Sequence, residues 1–197
     1  ASKTYGDTQT FDGTEFTADA LQNNETISVT LTSAGAAETA NVKDYTITAA
    51  AATGSGFNAD NYTITYANGE LKVAKRDLTI TANNASKTYG DTQTFDGTEF
   101  TADALQNGET ISKVNLTSAG AAETANVKDY TITAAAATAA EGSGFNADNY
   151  TITYANGELK VAKRDLTITA NDASKTYGDT QTFDGTEFTA DALQNNE

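Results

Sequence analysis

The segment Glu70-Leu-Lys-Val-Ala-Lys-Arg-Asp-Leu-Thr-Ile-Thr-Ala-Asn83 decides the fold. Its apolar residues occupy odd positions before Ala74 and even positions after Asp77: Leu71 and Val73, then Leu78, Ile80 and Ala82. Successive residues of a strand face opposite sides, so this pattern predicts that the buried face reverses across residues 74–77. We interpret it as a nearly continuous strand that serves one core and then a second. The alternative is an ordinary loop or a bulge inside one domain.

The segment lies where two near-identical sequence repeats meet. The sequence Ala-Ser-Lys-Thr-Tyr-Gly-Asp begins at Ala1, at Ala85 and again at Ala173, which gives intervals of 84 and 88 residues. The longer interval contains one additional residue near Lys113 and three before Gly142. We therefore expect three repeats: repeat 1 (1–76, lacking its first strand), repeat 2 (77–163, complete) and repeat 3 (164–197, truncated). We expect them to be part of a longer tandem array.

Alternation of apolar and hydroxyl residues predicts a mainly β protein. It is clearest in residues 45–48, 62–66 and 78–81, which are rich in Tyr, Thr and Ile. Asn68-Gly69 and Asn156-Gly157 each follow such a run and predict hairpin turns. A single short helix per repeat is predicted around residues 18–23, where Asp19 would cap its first turn.

These elements predict a tandem array of β modules of about 85–88 residues each. The short helix favours a β-grasp-like module, and an Ig-like β-sandwich remains the alternative. The joints contain no Pro, Gly-rich or Ser-rich linker, whereas flexible multidomain chains usually contain one. We therefore expect the modules to form an elongated rod.

Composition excludes most catalytic chemistry. The 197 residues include no His, Cys, Met, Trp or Pro, so imidazole relays, thiolate nucleophiles and disulfides are all absent. The formal charge of −15 opposes binding to nucleic acid, which requires a basic surface. The apolar runs are far shorter than the roughly 20 residues of a membrane helix, so we expect no direct membrane insertion. We expect no enzyme activity and no cofactor.

Calcium is the one metal for which the sequence offers candidate ligands. Asp12 and Glu15 lie in one predicted turn and Asp60 in another, and oxygen atoms are the ligands that Ca²⁺ prefers. Neither turn has the spacing of an EF-hand loop or of the calcium-binding nonapeptide repeat. The alternative is plain turn chemistry, in which Asp and Asn bond their own backbone. The remaining carboxylates, Glu25 among them, are interpreted as a solvated acidic surface.

Four stretches of the repeat resemble a known family. They are Ala-Ser-Lys-Thr-Tyr-Gly-Asp, Leu-Gln-Asn-Gly-Glu-Thr-Ile-Ser from Leu105, Asn-Tyr-Thr-Ile-Thr-Tyr-Ala-Asn-Gly-Glu-Leu-Lys-Val from Asn149, and Leu-Thr-Ile-Thr-Ala-Asn. Together they are similar to tandem MBG-type repeats of the YGX kind, which are close to YDG repeats. The resemblance implies the shaft of a large bacterial surface adhesin, including the filamentous-haemagglutinin-like proteins, and it implies no catalytic residues. The chain departs from many relatives in lacking Pro.

The resemblance implies a stalk or spacer of an exported bacterial adhesin filament, in adhesion or biofilm formation, at the extracellular face of the cell. The expected partners are neighbouring repeats of the same chain. Other filaments, matrix polysaccharide or host glycans are further candidates. The alternative function is that each repeat is a weak glycan- or matrix-polysaccharide-binding module that gains strength through multivalency.

Overall fold

A computed structural model of the chain describes residues 1–195 and 197 and is mainly β. Its strands are β1 (Ser2–Thr4), β2 (Ser28–Thr32), β3 (Asp44–Thr53), β4 (Gly69–Ala74), β5 (Arg76–Ala82), β6 (Ala85–Thr88), β7 (Phe100–Ala102), β8 (Ile111–Thr117), β9 (Asp129–Ala139), β10 (Tyr150–Ala155), β11 (Gly157–Ala162), β12 (Ile168–Ala170) and β13 (Phe188–Ala190). Short 3₁₀ turns lie at Ala34–Ala36, Ala59–Asn61 and Ala147–Asn149. Within the described residues, no helix is long and apolar enough to span a membrane.

Repeats 1 and 2 each contain a four-stranded mixed sheet with the same strand order. In repeat 1 the order is β1-β4-β3-β2, and in repeat 2 it is β6-β11-β9-β8. The short first strand runs parallel to β4 in repeat 1 and to β11 in repeat 2, and β3 and β9 pair antiparallel with those same strands. The alternating Tyr-Thr-Ile-Thr sequence forms the start of β3 and of β9, as the period-two pattern predicts.

The reversal of the buried face predicted for residues 74–77 is present. Only Lys75 separates β4 from β5, and the two strands belong to different sheets. The buried side chains lie at odd positions in β4 and at even positions in β5: Leu71, Val73, Leu78, Ile80 and Ala82. The chain therefore leaves one sheet and enters another with a single intervening residue, so the joint contains no flexible loop.

Strand β5 is the middle strand of a second, three-stranded sheet, whose order is β10-β5-β7. In repeat 3 the equivalent of β5 is β12, which pairs antiparallel with β13, the equivalent of β7. In repeat 1 the segments equivalent to β7 and β10 are residues 16–18 and 62–67, which the structure describes outside any strand. The strand predicted for residues 62–66 is therefore wrong in repeat 1, where these residues have no strand partner, although the equivalent residues of repeat 2 form β10. Residues 1–75 contain no counterpart of β5.

The chain divides into two compact units. Unit 1 comprises Ala1–Ile80, Ala102–Lys113 and Ala137–Thr153. Unit 2 comprises Thr81–Thr101, Val114–Ala136 and Tyr154–Glu197. Unit 1 therefore contains residues of repeats 1 and 2, and unit 2 contains residues of repeats 2 and 3. Each unit accordingly brings together side chains from two consecutive repeats.

The predicted helix at residues 18–23 is wrong. The structure places these residues in irregular chain that ends in a turn, and Asn23 and Asn24 have φ angles of 52° and 59°. Asparagine adopts this left-handed conformation more readily than other non-glycine residues, so the Asn-Asn pair favours a turn over a helical end. A helix of six residues has too few internal hydrogen bonds to offset that preference.

The hairpin predicted at Asn156-Gly157 is also wrong. Strands β10 and β11 flank Asn156 but belong to different sheets, so they do not pair with each other. A two-residue hairpin of type I′ requires positive φ at both turn residues, and the positive φ angles of the described residues lie elsewhere. A Cβ at Gly157 would lie 2.6 Å from the backbone oxygen of Ala82, so glycine here permits close backbone approach. The hairpin predicted at Asn68-Gly69 is wrong as well, because Gly69 begins β4 and residues 62–68 lie outside any strand.

Candidate functional site

A buried carboxylate in unit 1 joins repeat 1 to repeat 2. Glu109 of repeat 2 is only 6% exposed, and its Oε1 accepts a hydrogen bond of 2.8 Å from the hydroxyl of Tyr5 in repeat 1. Its Oε2 accepts a second hydrogen bond from the hydroxyl of Tyr150. A buried carboxylate is costly unless its oxygens are bonded, and here both oxygens have a donor. The Tyr5–Glu109 bond crosses from one repeat to the next, and we call Tyr5, Glu109 and Tyr150 the tyrosine–glutamate cluster.

Aromatic packing surrounds this cluster. The rings of Tyr5 and Tyr150 meet edge to face with centroids 5.5 Å apart, and Phe145 stacks on Tyr150 at 5.7 Å. The backbone N–H of Gln106 donates to the Tyr150 hydroxyl at 3.0 Å. Aromatic pairs of this geometry add to the free energy gained by burying their area. The cluster therefore combines apolar burial with fixed hydrogen-bond directions, which orients the two repeats as well as holding them.

A buried asparagine makes a second contact between the same two repeats. Asn149 of repeat 2 is 1% exposed. Its Oδ1 accepts a hydrogen bond of 3.0 Å from the backbone N–H of Val42, and its Nδ2 donates to Oδ1 of Asn41 at 2.9 Å. Both partners lie in repeat 1, so the amide of Asn149 bridges the repeats by itself. Its loss would remove both hydrogen bonds between the repeats, including the one that satisfies the backbone N–H of the half-buried Val42.

Glycine at position 6 permits the repeats to approach closely. Gly6 has a φ of +87°, and a Cβ at this position would lie 2.5 Å from Cγ of Gln106. Any larger residue would therefore meet both backbone strain and a steric clash with repeat 2. The Tyr-Gly-Asp sequence thus contributes two features to the contact with the following repeat. The Tyr5 hydroxyl bonds Glu109, and the absence of a side chain at Gly6 leaves room for Gln106.

Two basic side chains hold the Tyr-Gly-Asp turn in place. Arg76 donates from Nε to the backbone oxygen of Tyr5 at 2.6 Å, and its guanidinium forms an ion pair with Asp7. Lys3, which is 8% exposed, donates to the backbone oxygens of Asp7 at 2.7 Å and of Ala37. Burial lowers the pKa of the Lys3 amine from its ordinary value. Arg76 is also the first residue of β5. It therefore links the point where the chain passes from one sheet to the next with the Tyr-Gly-Asp turn that contacts repeat 2.

The same contact occurs a second time, in unit 2, between repeats 2 and 3. The hydroxyl of Tyr89 donates to Oε1 of Glu197 at 2.8 Å, as Tyr5 does to Glu109. A Cβ at Gly90 would lie 2.7 Å from Cγ of Gln194, and Arg164 bonds the backbone oxygen of Tyr89 at 2.6 Å. Two independent occurrences indicate that the contact is a property of the repeat sequence.

Repeat 1 carries the same glutamate–tyrosine pair, at Glu25 and Tyr62. The hydroxyl of Tyr62 donates to Glu25, and the backbone N–H of Gln22 donates to Tyr62 at 3.3 Å. Glu25 and Tyr62 are nevertheless half-buried, whereas Glu109 and Tyr150 at the same repeat positions are buried. The difference corresponds to the side chain of Tyr5, which adds its ring and hydroxyl to the cluster of repeat 2.

The cluster predicts loss of stability in alkali. Burial, with a contribution from Glu109, raises the pKa of Tyr150 above the ordinary 10.0, and burial likewise raises the pKa of Tyr5. A raised folded-state pKa stabilises the fold fully below the unfolded pKa, and this stabilisation is lost as the pH rises through the folded value. Above about pH 10 and below its raised folded-state pKa, Tyr150 should lower the free energy of unfolding by up to about 1.4 kcal/mol per pH unit, and Tyr5 should act in the same direction.

Urea unfolding at a series of alkaline pH values measures this slope. The Tyr150→Phe variant removes one titrating group and should show a shallower slope than the parent chain. Equal slopes in the two proteins would show that Tyr150 titrates normally in the folded state.

The carboxylates predicted as calcium ligands accept hydrogen bonds within their own turns or lie in a different turn from the others. Oδ1 of Asp12 accepts the backbone N–H of Thr14 at 3.0 Å, and bonds from Thr14 lower the pKa of Asp12. Glu15 accepts the backbone N–H groups of Asp12 and Gly13, each at 3.1 Å. Asp60 lies in a separate 3₁₀ turn capped by the side chain of Asn58. Among residues 1–195 and 197, no group of three or more acidic residues is placed to hold a metal ion.

Sequence reasoning found only part of this site. The period-two alternation that predicts strands places one face of each strand inward, and Tyr150 in such a run is 2% exposed, whereas the equivalent Tyr62 is half-buried. The glutamate was missed, because Glu25 is interpreted as part of a solvated surface and Glu109 occupies the equivalent position. Tyr5 and Glu109 are 104 residues apart, so no local pattern relates them. The one local feature that could have indicated a buried carboxylate is that Glu109 is the single charged residue of the Leu-Gln-Asn-Gly-Glu-Thr-Ile run.

Comparison with known sequences agrees with the repeat assignment. A family described as the MBG domain (YGX type) matches residues 1–72 and 78–160, which together make up most of the chain. No curated protein matches the chain. No solved structure matches it either.

Proposed function

Because the chain belongs to the MBG domain family of the YGX type, we propose that it is a non-catalytic spacer segment of an exported bacterial surface adhesin. In this role it holds a binding region away from the cell, at the extracellular face, during adhesion or biofilm formation. Its partners are then the neighbouring repeats of the same chain. The mechanism is mechanical, since a spacer must transmit its orientation from one repeat to the next.

The observation that carries the proposal is the contact between consecutive repeats. Tyr5 and Glu109 form a buried hydrogen bond, and the turn containing Tyr5 is fastened by Arg76 at the start of β5. Bonds between the same repeat positions recur at Tyr89, Glu197 and Arg164, where they are exposed. Buried polar contacts with fixed geometry oppose bending at a joint, because bending would leave the donor or the carboxylate without its partner.

The covalent joint supports the same function. One residue, Lys75, separates the two strands, so little free backbone is available for a hinge. Extended chain advances roughly 3.3 Å per residue, so a dozen residues of strand span about 40 Å. We therefore infer that each added repeat lengthens the spacer by a distance of that order. The charge of −15 keeps near-identical repeats solvated and apart, which opposes mispairing between them.

Small-angle X-ray scattering tests the proposal on chains of two and three complete repeats. We expect a particle whose maximum dimension increases by a constant step, roughly 40 Å, with each added repeat. The matched control inserts a flexible Gly-Ser segment between Lys75 and Arg76, which should broaden the distance distribution without changing the repeats themselves.

Identical scattering from the parent and the Gly-Ser control would contradict the proposal, because it would mean that the joint is already flexible. A glycan array gives a second contrary outcome. Binding that strengthens with the number of repeats would assign the repeats a multivalent polysaccharide-binding function instead.

A further inference from the structure

Tyrosine is the most easily oxidised side chain in this sequence. The chain has nine tyrosines and no Cys, Met or Trp. Cysteine and methionine are the side chains that oxidants ordinarily attack first, and tryptophan competes with tyrosine for oxidants that remove single electrons. A one-electron oxidant that reaches this chain is therefore reduced by tyrosine.

Two of these tyrosines, Tyr5 of repeat 1 and Tyr150 of repeat 2, touch each other inside unit 1. Their rings meet edge to face, with centroids 5.5 Å apart and an angle of 79° between the ring planes. They are 4% and 2% exposed. Burial keeps bulky radical scavengers away, so a radical formed on one ring has the other ring as its nearest reactant.

Both hydroxyl groups donate to one carboxylate. Tyr5 donates to Oε1 of Glu109 at 2.8 Å, and Tyr150 donates to Oε2. Tyrosyl radicals couple at the ring carbons next to the hydroxyl group, and the shared acceptor brings these ends of the two rings together. Loss of an electron makes a phenol strongly acidic, so a carboxylate within hydrogen-bond distance can take its proton as the electron leaves.

We propose that Tyr5 and Tyr150 form a cross-linking site, at which a one-electron oxidant joins repeat 1 to repeat 2 through a dityrosine bond, with Glu109 as the proton acceptor. Each tyrosine gives one electron to the oxidant and loses its phenolic proton, and Glu109 takes the first of these protons. The rings then rotate out of the edge-to-face arrangement, and a carbon–carbon bond forms between one ortho carbon of each ring. The C–H bonds at these two carbons break and their hydrogens restore the two hydroxyl groups. In total two electrons and two protons leave, so the cross-linked chain is lighter by two hydrogens.

Both partners of the site recur in the repeat sequence. Tyr89 and Tyr177 occupy the position of Tyr5, and Tyr62 occupies the position of Tyr150. Each repeat thus contains one tyrosine of each kind where its sequence extends far enough. The bond would close a covalent loop through most of repeats 1 and 2, and a long closed loop restricts the unfolded chain strongly.

Photo-oxidation of the full chain with a ruthenium tris-bipyridyl complex and persulfate tests the proposal. The protein is kept dilute so that bonds within one chain dominate, and trypsin then releases fragments 4–43 and 129–160. Tyr5 is the one tyrosine of the first fragment. We expect mass spectrometry to find these two fragments linked, two hydrogens below the sum of their masses, together with dityrosine fluorescence. Oxidation of other tyrosines without this linked pair would overturn the proposal.

Phenylalanine variants identify the reacting rings. Tyr5→Phe and Tyr150→Phe each keep a buried ring and should abolish the linked pair of fragments. Tyr62→Phe is the matched control and should leave the yield unchanged, because Tyr62 has the repeat position of Tyr150 but stacks on Phe57, with centroids 5.4 Å apart. Survival of the linked pair in Tyr150→Phe would assign the bond to another tyrosine of the second fragment and overturn the proposal.

Glu109→Gln tests the proton acceptor separately. Glutamine keeps the shape of the side chain and an acceptor oxygen but is not a base at neutral pH, so the yield should fall at least about tenfold. Near-ultraviolet circular dichroism checks that the tyrosines of this variant remain packed. An unchanged yield would overturn the role given to Glu109.

Oxidation in concentrated urea tests whether the folded contact is required. Unfolding separates the rings and should abolish the linked pair, and an equal yield in urea would contradict a preformed site. The inference rests on the contact between the two tyrosines and not on the spacer function, because the hydrogen bonds of the cluster exist without the cross-link. Its failure would therefore leave the stiffness measured by scattering unchanged.

Discussion

Replacing Ile80 with alanine should lower the free energy of unfolding by roughly 2–5 kcal/mol. Ile80 is fully buried in β5, the middle strand of the sheet β10-β5-β7. Truncation removes the transfer free energy of three carbon atoms and leaves a cavity that a close-packed strand fills only in part. Because β5 follows β4 after one residue, the loss falls on the segment that joins repeat 1 to repeat 2.

The chain contains a matched control for this substitution. Ile168 lies in the same Leu-Thr-Ile-Thr-Ala sequence but is 62% exposed. Ile168→Ala should therefore change the free energy of unfolding by only about 0.5 kcal/mol. Urea unfolding followed by far-ultraviolet circular dichroism measures both variants. Similar losses in the two would mean that local strand propensity, and not burial in the sheet, accounts for the effect.

Replacing Glu109 with alanine should cost about 2–4 kcal/mol, because two buried hydroxyl groups lose their acceptor. Tyr5 and Tyr150 both donate to this carboxylate and are 4% and 2% exposed. Each unsatisfied buried donor is destabilising by roughly 1–3 kcal/mol, and removal of the carboxylate's own desolvation cost offsets part of the sum. Thermal or urea unfolding gives the magnitude.

Glu25→Ala is the control for the glutamate substitution. Glu25 occupies the same repeat position, is half-buried, and accepts a hydrogen bond from Tyr62. Water replaces the lost partner there, so the expected change is within about 1 kcal/mol. A double-mutant cycle of Glu109→Ala with Tyr5→Phe should give a coupling of about 0.5–3 kcal/mol. Additive effects in this cycle would show that the bond between the repeats contributes nothing to stability.

The strand pattern and the change of sheet were predictable because both depend on local alternation. Leu71, Val73, Leu78 and Ile80 are buried in the phase that the sequence indicates. The same local rules failed at Asn156-Gly157, where a favourable hairpin dipeptide instead carries the chain between two sheets. Turn propensity indicates which backbone conformations of a dipeptide have low free energy. At Asn156-Gly157 the pairing of β10 and β11 with distant strands determined which conformation was adopted.

The tyrosine–glutamate cluster was not predictable from a single repeat. Glu25 and Glu109 share a repeat position and nearly the same neighbours, yet only Glu109 is buried. The difference comes from Tyr5, which belongs to the preceding repeat and is distant in sequence. Local sequence therefore describes each repeat alone and contains no information about which of its surfaces a neighbour covers.

Each repeat presents a tyrosine to the repeat that follows it and a glutamate to the repeat that precedes it, as at Tyr5–Glu109 and Tyr89–Glu197. Any repeat is thus compatible with any other on either side. We therefore expect that a repeat added or removed as a whole would recreate the same bond at the new boundary. A change in the number of whole repeats should therefore be tolerated, whereas deletion of Lys75 alone would reverse which face of the following strand is buried.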